Sequence, residues 1–438
     1  MKRTLILGIG LSVSLVSAAQ WSTATLQEGR IFAGSVGHQG KVYIAGGLTD
    51  YSLDISTKSI EIYDNVTGAW SYDSLSLARY DVATTSLGSH IIFAGGINSD
   101  GATNVVEVFN TQLQTWFYDT LITPQGAAVA VSHGSKVYVA GGINNTAIGV
   151  TPNISIYDTL TGMWTADSLS VGRFGHAGAA VGDLIMFAGG YTNTGNYPTT
   201  DVVDIYNTST DTWSTAQLSQ KRGNINALTV GDKIYFAGGL RSVSSGLLSP
   251  IVDIYDHSTQ SWTTDTLSQG RRFIGIAQAN HKLLFAGGER TFSGNNPTTR
   301  VDVYDLITET WSIDELPNPH DAYSVAQLPG KAFFISGGRY SNNTVWNTMD
   351  IYTPFGLGTA QENGKSLKVY PNPSIGLLKV SSLSRIKQVQ VYSLSGRLLL
   401  EFKPNSKIWD GELGLSSGTY LLHVQTESGT EQVQVVLQ

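Results

Sequence analysis

The chain alternates short apolar runs with polar turns, and one pattern of hydrophobic positions returns seven times. In each unit an apolar run ends in a Gly-Gly pair, as in KVYIAGG, HIIFAGG and KAFFISGG. An alternating segment with an aromatic residue follows, and in six units a Trp stands seven residues beyond that aromatic. Short apolar runs bounded by glycine are typical of buried strands, and the repeat shows no helical period. The pattern predicts an all-β chain of short antiparallel strands.

The units return at a nearly constant spacing of 46 to 50 residues. The Gly-Gly pairs begin at Gly46, Gly95, Gly141, Gly189, Gly238, Gly287 and Gly337. The aromatic positions are Tyr63, Phe109, Tyr157, Tyr206, Tyr255, Tyr304 and Tyr352. The tryptophans are Trp70, Trp116, Trp164, Trp213, Trp262 and Trp311. A repeat of this length with room for four strands predicts four-stranded sheets stacked radially around an axis.

The Gly-Gly, Tyr and Trp positions resemble kelch repeats over residues 21 to 354. The resemblance implies a seven-bladed β-propeller over residues 20–354. The glycines permit positive φ and close backbone approach, and the aromatic rings supply flat surfaces that pack one sheet on the next.

The two ends of the array are complementary. Tyr352 has no Trp seven residues later, where Thr359 stands, whereas Trp21 has no preceding Tyr. We therefore expect the strand that begins at Trp21 to be the outer strand of the seventh sheet. Such pairing closes the ring and removes two exposed sheet edges.

The region after Tyr352 lacks the repeat, and residues 355–366 have the composition of a linker. Residues 367–438 contain five strand-like runs, which fit a small β-sandwich. They include Tyr370-Pro371-Asn372-Pro373, Val391-Tyr392, Gly396-Arg397 and Gly418-Thr419-Tyr420. These motifs resemble the C-terminal sorting domain of the type IX secretion system of Bacteroidota-type bacteria. The resemblance implies the type IX machinery as a partner and secretion or outer-membrane surface location; a terminal adhesion or sugar-binding sandwich is the alternative.

The first 19 residues have the pattern of a secretory signal peptide. Lys2 and Arg3 precede an apolar stretch, and small residues around Ala18 offer a cleavage site. An anchoring helix is the alternative, but the stretch is short for a membrane span. We expect export to the periplasm and no transmembrane segment in the mature chain.

The composition excludes several kinds of binding site. The chain has no Cys, which excludes disulfides and thiolate metal sites, and its net charge of −7 argues against nucleic-acid binding. The eight histidines show no ligand spacing and are interpreted as turn and surface residues, so neither a metal nor a cofactor is expected. The repeated Asp of DIYD and DIYN alternates with apolar residues, which suggests that it caps or solvates a strand.

One position carries most of the candidate binding chemistry. Sixteen residues before each Gly-Gly pair stand Arg30, Arg79, Gln125, Arg173, Arg222, Arg271 and Asp321. The topology places this turn on the same face as the loop after Gly-Gly, and kelch proteins commonly bind ligands at that mouth. The candidate ligand-binding residues are Arg30, Arg79, Arg173, Arg222, Arg271, Tyr191, Arg290, Arg339 and Tyr340. A structural role remains equally open for the repeated Arg, which can donate to backbone carbonyls or pair with a carboxylate.

Two functions fit these residues. The first is a noncatalytic secreted binding protein for a glycan, peptide or protein, since no catalytic motif is present. The second is a kelch-type carbohydrate-active enzyme, such as an acidic-sugar (sialic acid) mutarotase, with Glu289 or Asp81 as acid or base.

Overall fold

The protein is built of strands, and no helix occurs in the part of the chain that the structure describes. This computed structural model describes residues 20–145, 149–291, 296–320, 324–339, 343–354, 367–370, 374, 376–393, 397–416, 418–427 and 429–437. The expected signal peptide (1–19) and linker (355–366) lie outside these residues, as does most of the Tyr370–Pro373 motif. The all-β prediction is confirmed.

The described residues between 20 and 354 form seven four-stranded antiparallel sheets, numbered here in chain order. Sheet 1 comprises Gly34–His38, Lys41–Ala45, Ser59–Asp64 and Trp70–Ser74. Sheet 2 comprises Ala83–Leu87, His90–Ala94, Val105–Asn110 and Thr115–Thr120. Sheet 3 comprises Val129–His133, Lys136–Ala140, Asn153–Asp158 and Met163–Ser168. Sheet 4 comprises Ala177–Val181, Leu184–Ala188, Val202–Asn207 and Thr212–Gln217.

The remaining three sheets follow the same order of strands. Sheet 5 comprises Asn226–Val230, Lys233–Ala237, Ile251–Asp256 and Ser261–Thr266. Sheet 6 comprises Gly275–Ala279, Lys282–Ala286, Thr298–Asp305 and Thr310–His320. Sheet 7 comprises Ser324–Leu328, Lys331–Ile335, Thr348–Tyr352 and, as its fourth strand, Trp21–Thr25. Short two-strand ribbons follow four of the Gly-Gly pairs: Leu48–Asp50 with Ile55–Ser56, Ile97–Asn98 with Gly101–Ala102, Leu240–Ser242 with Leu247–Leu248, and Gly338–Arg339 with Thr344–Val345.

The first strands of the seven sheets contact one another in a closed cycle, sheet 7 against sheet 1 included. Each second strand is buried almost throughout, because it lies between its own sheet partners and both neighbouring sheets. The strand at Trp21 pairs antiparallel with the third strand of sheet 7, with Trp21 opposite Tyr352. The centres of these two rings lie 4.8 Å apart, and those of Tyr206 and Trp213 in sheet 4 lie at a similar distance, 5.0 Å. The two incomplete units therefore combine as predicted.

The Gly-Gly pairs are required by contacts between neighbouring sheets. Gly189 has φ of 65°, and a Cβ there would lie 2.7 Å from the carbonyl oxygen of Arg222 in the turn that enters sheet 5. The N–H of Gly190 donates to that same oxygen at 2.9 Å. A side chain at the first glycine would therefore break a hydrogen bond that joins two sheets.

A second contact between sheets uses the repeated Trp. In five places the indole N–H donates to an Asp on the fourth strand of the preceding sheet, at 2.8 to 3.0 Å. The pairs are Trp116–Asp73, Trp164–Asp119, Trp213–Asp167, Trp311–Asp265 and Trp21–Asp314. At the two remaining junctions, Trp262 and Trp70 pack near Ala216 and Ala24, which occupy the Asp position.

Replacing Ala216 with aspartate will supply the missing acceptor for Trp262. One added hydrogen bond on this partly buried junction should raise the free energy of unfolding by about 1 kcal/mol. Urea unfolding followed by Trp fluorescence measures the change. Ala216→Leu is the matched control, because it adds volume without an acceptor; an equal gain from both variants would contradict the role of the Trp–Asp bond.

The C-terminal region forms one six-stranded sheet around a long strand, Leu377–Ser393. The first half of this strand pairs with Leu367–Tyr370 and Ser406–Glu412, and its second half pairs with Leu398–Phe402 and Gly418–Thr426. The last strand, Gly429–Leu437, pairs with Gly418–Thr426. The predicted run LLKVSS and the first part of the predicted run VQVYSLSGRLLL thus lie in one strand that changes partners at a register irregularity, and the end of the second run belongs to Leu398–Phe402. Ser406–Glu412 was not predicted because its few apolar residues form no run.

Candidate functional site

The repeated arginines lie inside the sheets. Arg173, in the turn before sheet 4, has a side chain with no exposed surface. Its Nη2 donates to the carbonyl oxygen of Phe187 at 2.9 Å and to the buried carboxylate of Asp204. Asp204 also accepts the backbone N–H of Ser170 at 3.1 Å. The ion pair ties the entering turn to the second and third strands of one sheet.

The same buried Arg–carboxylate pair occurs in five sheets, and in the other two sheets a different pair of side chains takes its place. The buried ion pairs are Arg30–Glu61, Arg79–Glu107, Arg173–Asp204, Arg222–Asp253 and Arg271–Asp302. Sheet 3 has a neutral pair, in which the hydroxyl of Ser155 donates to the side-chain oxygen of Gln125 at 3.0 Å. Sheet 7 uses His320, whose Nε2 lies 3.0 Å from a carboxylate oxygen of Asp350. His320 precedes the predicted position by one residue, and Asp321 itself lies outside the described residues.

These contacts correct two expectations. Arg30, Arg79, Arg173, Arg222 and Arg271 present no side-chain surface to a ligand, and the structural alternative accounts for them. Burial lowers the pKa of Arg271 to about 10, against the opposing effect of Asp302, and a guanidinium this buried is stable only when paired. The first Asp of the DIYD and DIYN motifs is the buried partner of these arginines and does not face solvent.

The residues at the mouth of the ring stand two positions after the repeated Arg or Gln in each turn. There the backbone takes a positive φ of 50° to 59° in six sheets, at Phe32, Asp81, Ala127, Gly175, Asn224 and Phe273. The N–H of Asp81 donates to the carbonyl oxygen of Phe32 at 2.9 Å, and that of Asn224 donates to Gly175 at 2.7 Å. These bonds join consecutive sheets around the axis. A left-handed conformation is unusual for Phe and is favoured here because the surrounding bonds require it.

A cavity of about 650 Å³ opens among these turns and the loops after Gly-Gly. Six aromatic side chains line it: Phe32, Tyr51, Phe174, Tyr191, Tyr197 and Phe273. Its polar lining includes Asp81, His176, Asn224, Asn226 and Arg272. The lining shows that the two kinds of loop share one face, as predicted, and the volume suits a small-molecule ligand.

Arg272 is the arginine of the described cavity lining. In sheets 1 to 5, the residue that follows the buried Arg or Gln forms a β-bridge with the residue after Gly-Gly, and these pairs are mostly apolar, such as Ile31 and Leu48. In sheet 6 the bridged pair is Arg272 and Glu289, with Nε and Nη2 of Arg272 at 2.7 and 2.6 Å from one carboxylate oxygen. The guanidinium also lies 4.8 Å from the centre of the Phe273 ring.

Tyr191 connects this pair to sheet 4. The centre of its ring lies 5.3 Å from that of Phe174. The ring also lies against Gly223, in the turn before sheet 5, where a Cβ would be only 2.5 Å from the ring. Tyr191 shares a side-chain hydrogen bond with Arg272, and burial raises the pKa of its hydroxyl. The wall from sheet 4 to sheet 6 is therefore held in place before any ligand binds.

Two titratable groups in the lining have strongly shifted pKa values. Burial raises the pKa of Asp81 to about 7, so its carboxyl changes charge near neutral pH. Burial, with the nearby charge of Arg173, lowers the pKa of His176 to about 3, which keeps the imidazole neutral. His176 occupies a position that holds Val82 and Ile225 in other sheets, so it was wrongly interpreted as a turn or surface residue.

The other predicted site residues are dispersed. Arg290 is exposed, donates to the side-chain oxygen of Asn296 at 2.6 Å and lines a separate small cleft. The backbone of Arg339 belongs to the described residues, but its side chain does not. Tyr340 lies outside the described residues. Glu289 is buried behind Arg272.

Most of the observed lining was missed by reasoning from the sequence. Of the predicted ligand-binding residues whose side chains the structure describes, only Tyr191 lines the cavity. The available signals were the recurring position two residues after the repeated Arg and the polar Arg272–Glu289 pair at an otherwise apolar position.

Neither a metal site nor a membrane helix is found in the described residues. They contain no cluster of three or more His, Cys, Asp or Glu side chains suited to a metal ion. No helix there is long and apolar enough to cross a membrane.

Comparison with known proteins bears on both regions. The family model described as Kelch motif matches residues 29–73 and 172–217, and the model described as Secretion system C-terminal sorting domain matches residues 368–438. A solved structure titled "Structure of YjhT" is 18% identical, with a TM-score of 0.49, and the match covers 67% of this chain and 99% of that chain. No curated protein matches the sequence.

The chain contains kelch motifs at residues 29–73 and 172–217 and carries a type IX secretion C-terminal sorting domain at residues 368–438, as both resemblances predicted. The sorting domain indicates export and a location at the cell surface or outside the cell.

Proposed function

We propose that this protein is a secreted or surface-located binding protein that takes a glycan into the aromatic cavity at the mouth of its ring. In this proposal residues 20–354 are a closed seven-bladed kelch propeller and residues 367–438 are a β-sandwich recognised by the type IX machinery. The packing of buried residues from both halves of the long strand, such as Val380 and Val391, into one core supports the sandwich.

The observation that carries the proposal is the composition of the cavity wall. Six aromatic rings offer flat faces to the C–H surfaces of sugar rings, and amide, carboxyl and guanidinium groups among them can meet hydroxyls. The hydrogen-bonded turns and the Tyr191–Arg272–Glu289 contacts hold these groups in position, which reduces the entropy lost on binding.

Removing two of the rings should abolish most of the affinity. In the double variant Phe32→Ala and Phe273→Ala we expect at least about a tenfold weaker glycan Kd, because each stacked ring contributes on the order of 1 kcal/mol. Ala127 already occupies the same left-handed position in sheet 3, so the backbone tolerates alanine there. A glycan array identifies ligands and isothermal titration calorimetry measures them.

Tyr118→Ala is the control, since this ring is 66% exposed on an outer strand and lies outside the cavity lining. It should leave binding unchanged. Glycan binding that is equal in wild type and the double variant would place the site elsewhere, and an array without hits would contradict the proposal.

The alternative of an acidic-sugar mutarotase receives less support. A sugar carboxylate needs an unpaired cation, but the one arginine in the described lining is paired with Glu289, and the repeated arginines are buried. A carboxyl at Asp81 would also repel an acidic ligand when ionised.

A further inference from the structure

The balance of charge in the cavity distinguishes classes of sugar. Among the titratable groups of the lining, Arg272 is compensated by Glu289, and His176 is held in its neutral form. Asp81 is half-buried, and no hydrogen bond or ion pair of its carboxylate is found in the described part of the chain. The described lining therefore holds one carboxylate without a counter-charge.

The groups around Asp81 do not supply that counter-charge. Tyr80, the preceding residue, interacts with Asp54 and Tyr51 from the loop of sheet 1. In the adjacent turns of the ring, the apolar residues Phe32 and Ala127 form backbone hydrogen bonds with Asp81 and also line the cavity. Asp81 thus lies in a region whose nearby groups are acidic, phenolic or apolar.

We infer that the cavity binds a sugar with a free ammonium group, and that Asp81 is the counter-ion of that ammonium. The inference rests on the proposed function, because it assumes that the cavity is the glycan site. An ammonium gains a charge-assisted hydrogen bond from the carboxylate, and it is attracted to the faces of surrounding aromatic rings.

A sugar is favoured over a lysine side chain as the source of the ammonium. The cavity is wide, and Asn224 and Asn226 add amide groups suited to hydroxyls, whereas the stem of lysine offers only methylenes. The remaining aromatic faces suit the flat C–H surfaces of a sugar ring.

The test compares three probes by calorimetry on the full chain: a glucosamine oligomer, the same oligomer N-acetylated, and a lysine-containing peptide. Wild type should bind the free-amine oligomer at least about tenfold more tightly than the acetylated one. Asp81→Asn should remove this preference while keeping weaker binding of both oligomers. Asn224 occupies the equivalent left-handed position in sheet 5, so asparagine is compatible with the backbone at residue 81.

Asp100→Asn is the matched control, since it removes a carboxylate from an exposed loop outside the cavity and should leave the preference intact. The preference should increase as Asp81 ionises around its pKa of about 7 and decrease again at higher pH, where the ligand amine loses its proton; the increase should be absent in Asp81→Asn.

Other outcomes separate the two proposals. Equal binding of both oligomers, lost in the Phe32→Ala and Phe273→Ala double variant, would overturn the role of Asp81 and leave the glycan site standing. Binding of the lysine peptide but of neither oligomer would overturn both, as would a preference that survives Asp81→Asn together with unchanged binding in the double variant.

Discussion

Replacing Asp204 with alanine will lower the free energy of unfolding by about 3–5 kcal/mol, the usual effect of leaving one partner of a buried ion pair uncompensated. Arg173 has no exposed side-chain surface, so its charge cannot reach solvent when Asp204 is removed. The backbone N–H of Ser170 also loses its acceptor. Urea unfolding followed by Trp fluorescence measures the loss.

Sheet 3 provides the matched comparison within the same chain. The double variant Arg173→Gln and Asp204→Ser copies the neutral Gln125–Ser155 pair and should lose clearly less stability than Asp204→Ala alone. Asp232→Ala, which removes an exposed carboxylate in a hairpin turn, should change stability by less than about 0.5 kcal/mol.

The result bears directly on the binding site. If Asp204→Ala were as mild as Asp232→Ala, the guanidinium of Arg173 would not depend on its partner, and the arginines could again be considered for ligand contact. A large loss that the double variant recovers would confirm that these positions stabilise the sheets.

Deleting residues 20–29 will open the ring. The deletion removes a five-residue strand and its ladder to sheet 7, and it also removes Leu26, which is 1% exposed. It exposes the edge of the strand at Tyr352 and leaves sheet 7 with three strands. With several hydrogen bonds and a packed Trp lost, the cost should be on the order of 5 kcal/mol or more. Calorimetry should show a lower unfolding temperature, and light scattering should show association through the exposed edge.

A peptide provides the control for this deletion. Added in excess, a peptide of residues 20–29 should pair with the exposed edge and raise the unfolding temperature of the truncated chain, whereas a scrambled peptide should not. Identical melting of the truncated and complete chains would show that the strand does not close the ring.

Much of this architecture was predictable because local, repeated sequence patterns indicate it. An apolar run that ends in Gly-Gly identifies a buried strand wherever it occurs, and the complementary ends at Trp21 and Tyr352 identify the strand that completes sheet 7. The sorting domain was predicted for the same reason, from short motifs close in sequence.

The sequence by itself therefore determined the all-β class, the repeat of short strands, the pairing of the two ends and the export of the protein. Only the tertiary structure decided what the repeated Arg does, because position along the chain does not say whether a side chain turns toward the axis or back into its own sheet. The partners of Arg173 are carbonyl and carboxylate groups on other strands of sheet 4, and these approach only when the sheet forms. The cavity, likewise, combines residues that do not repeat, such as Asp81, Tyr197 and Arg272, from different sheets that meet only in the closed ring.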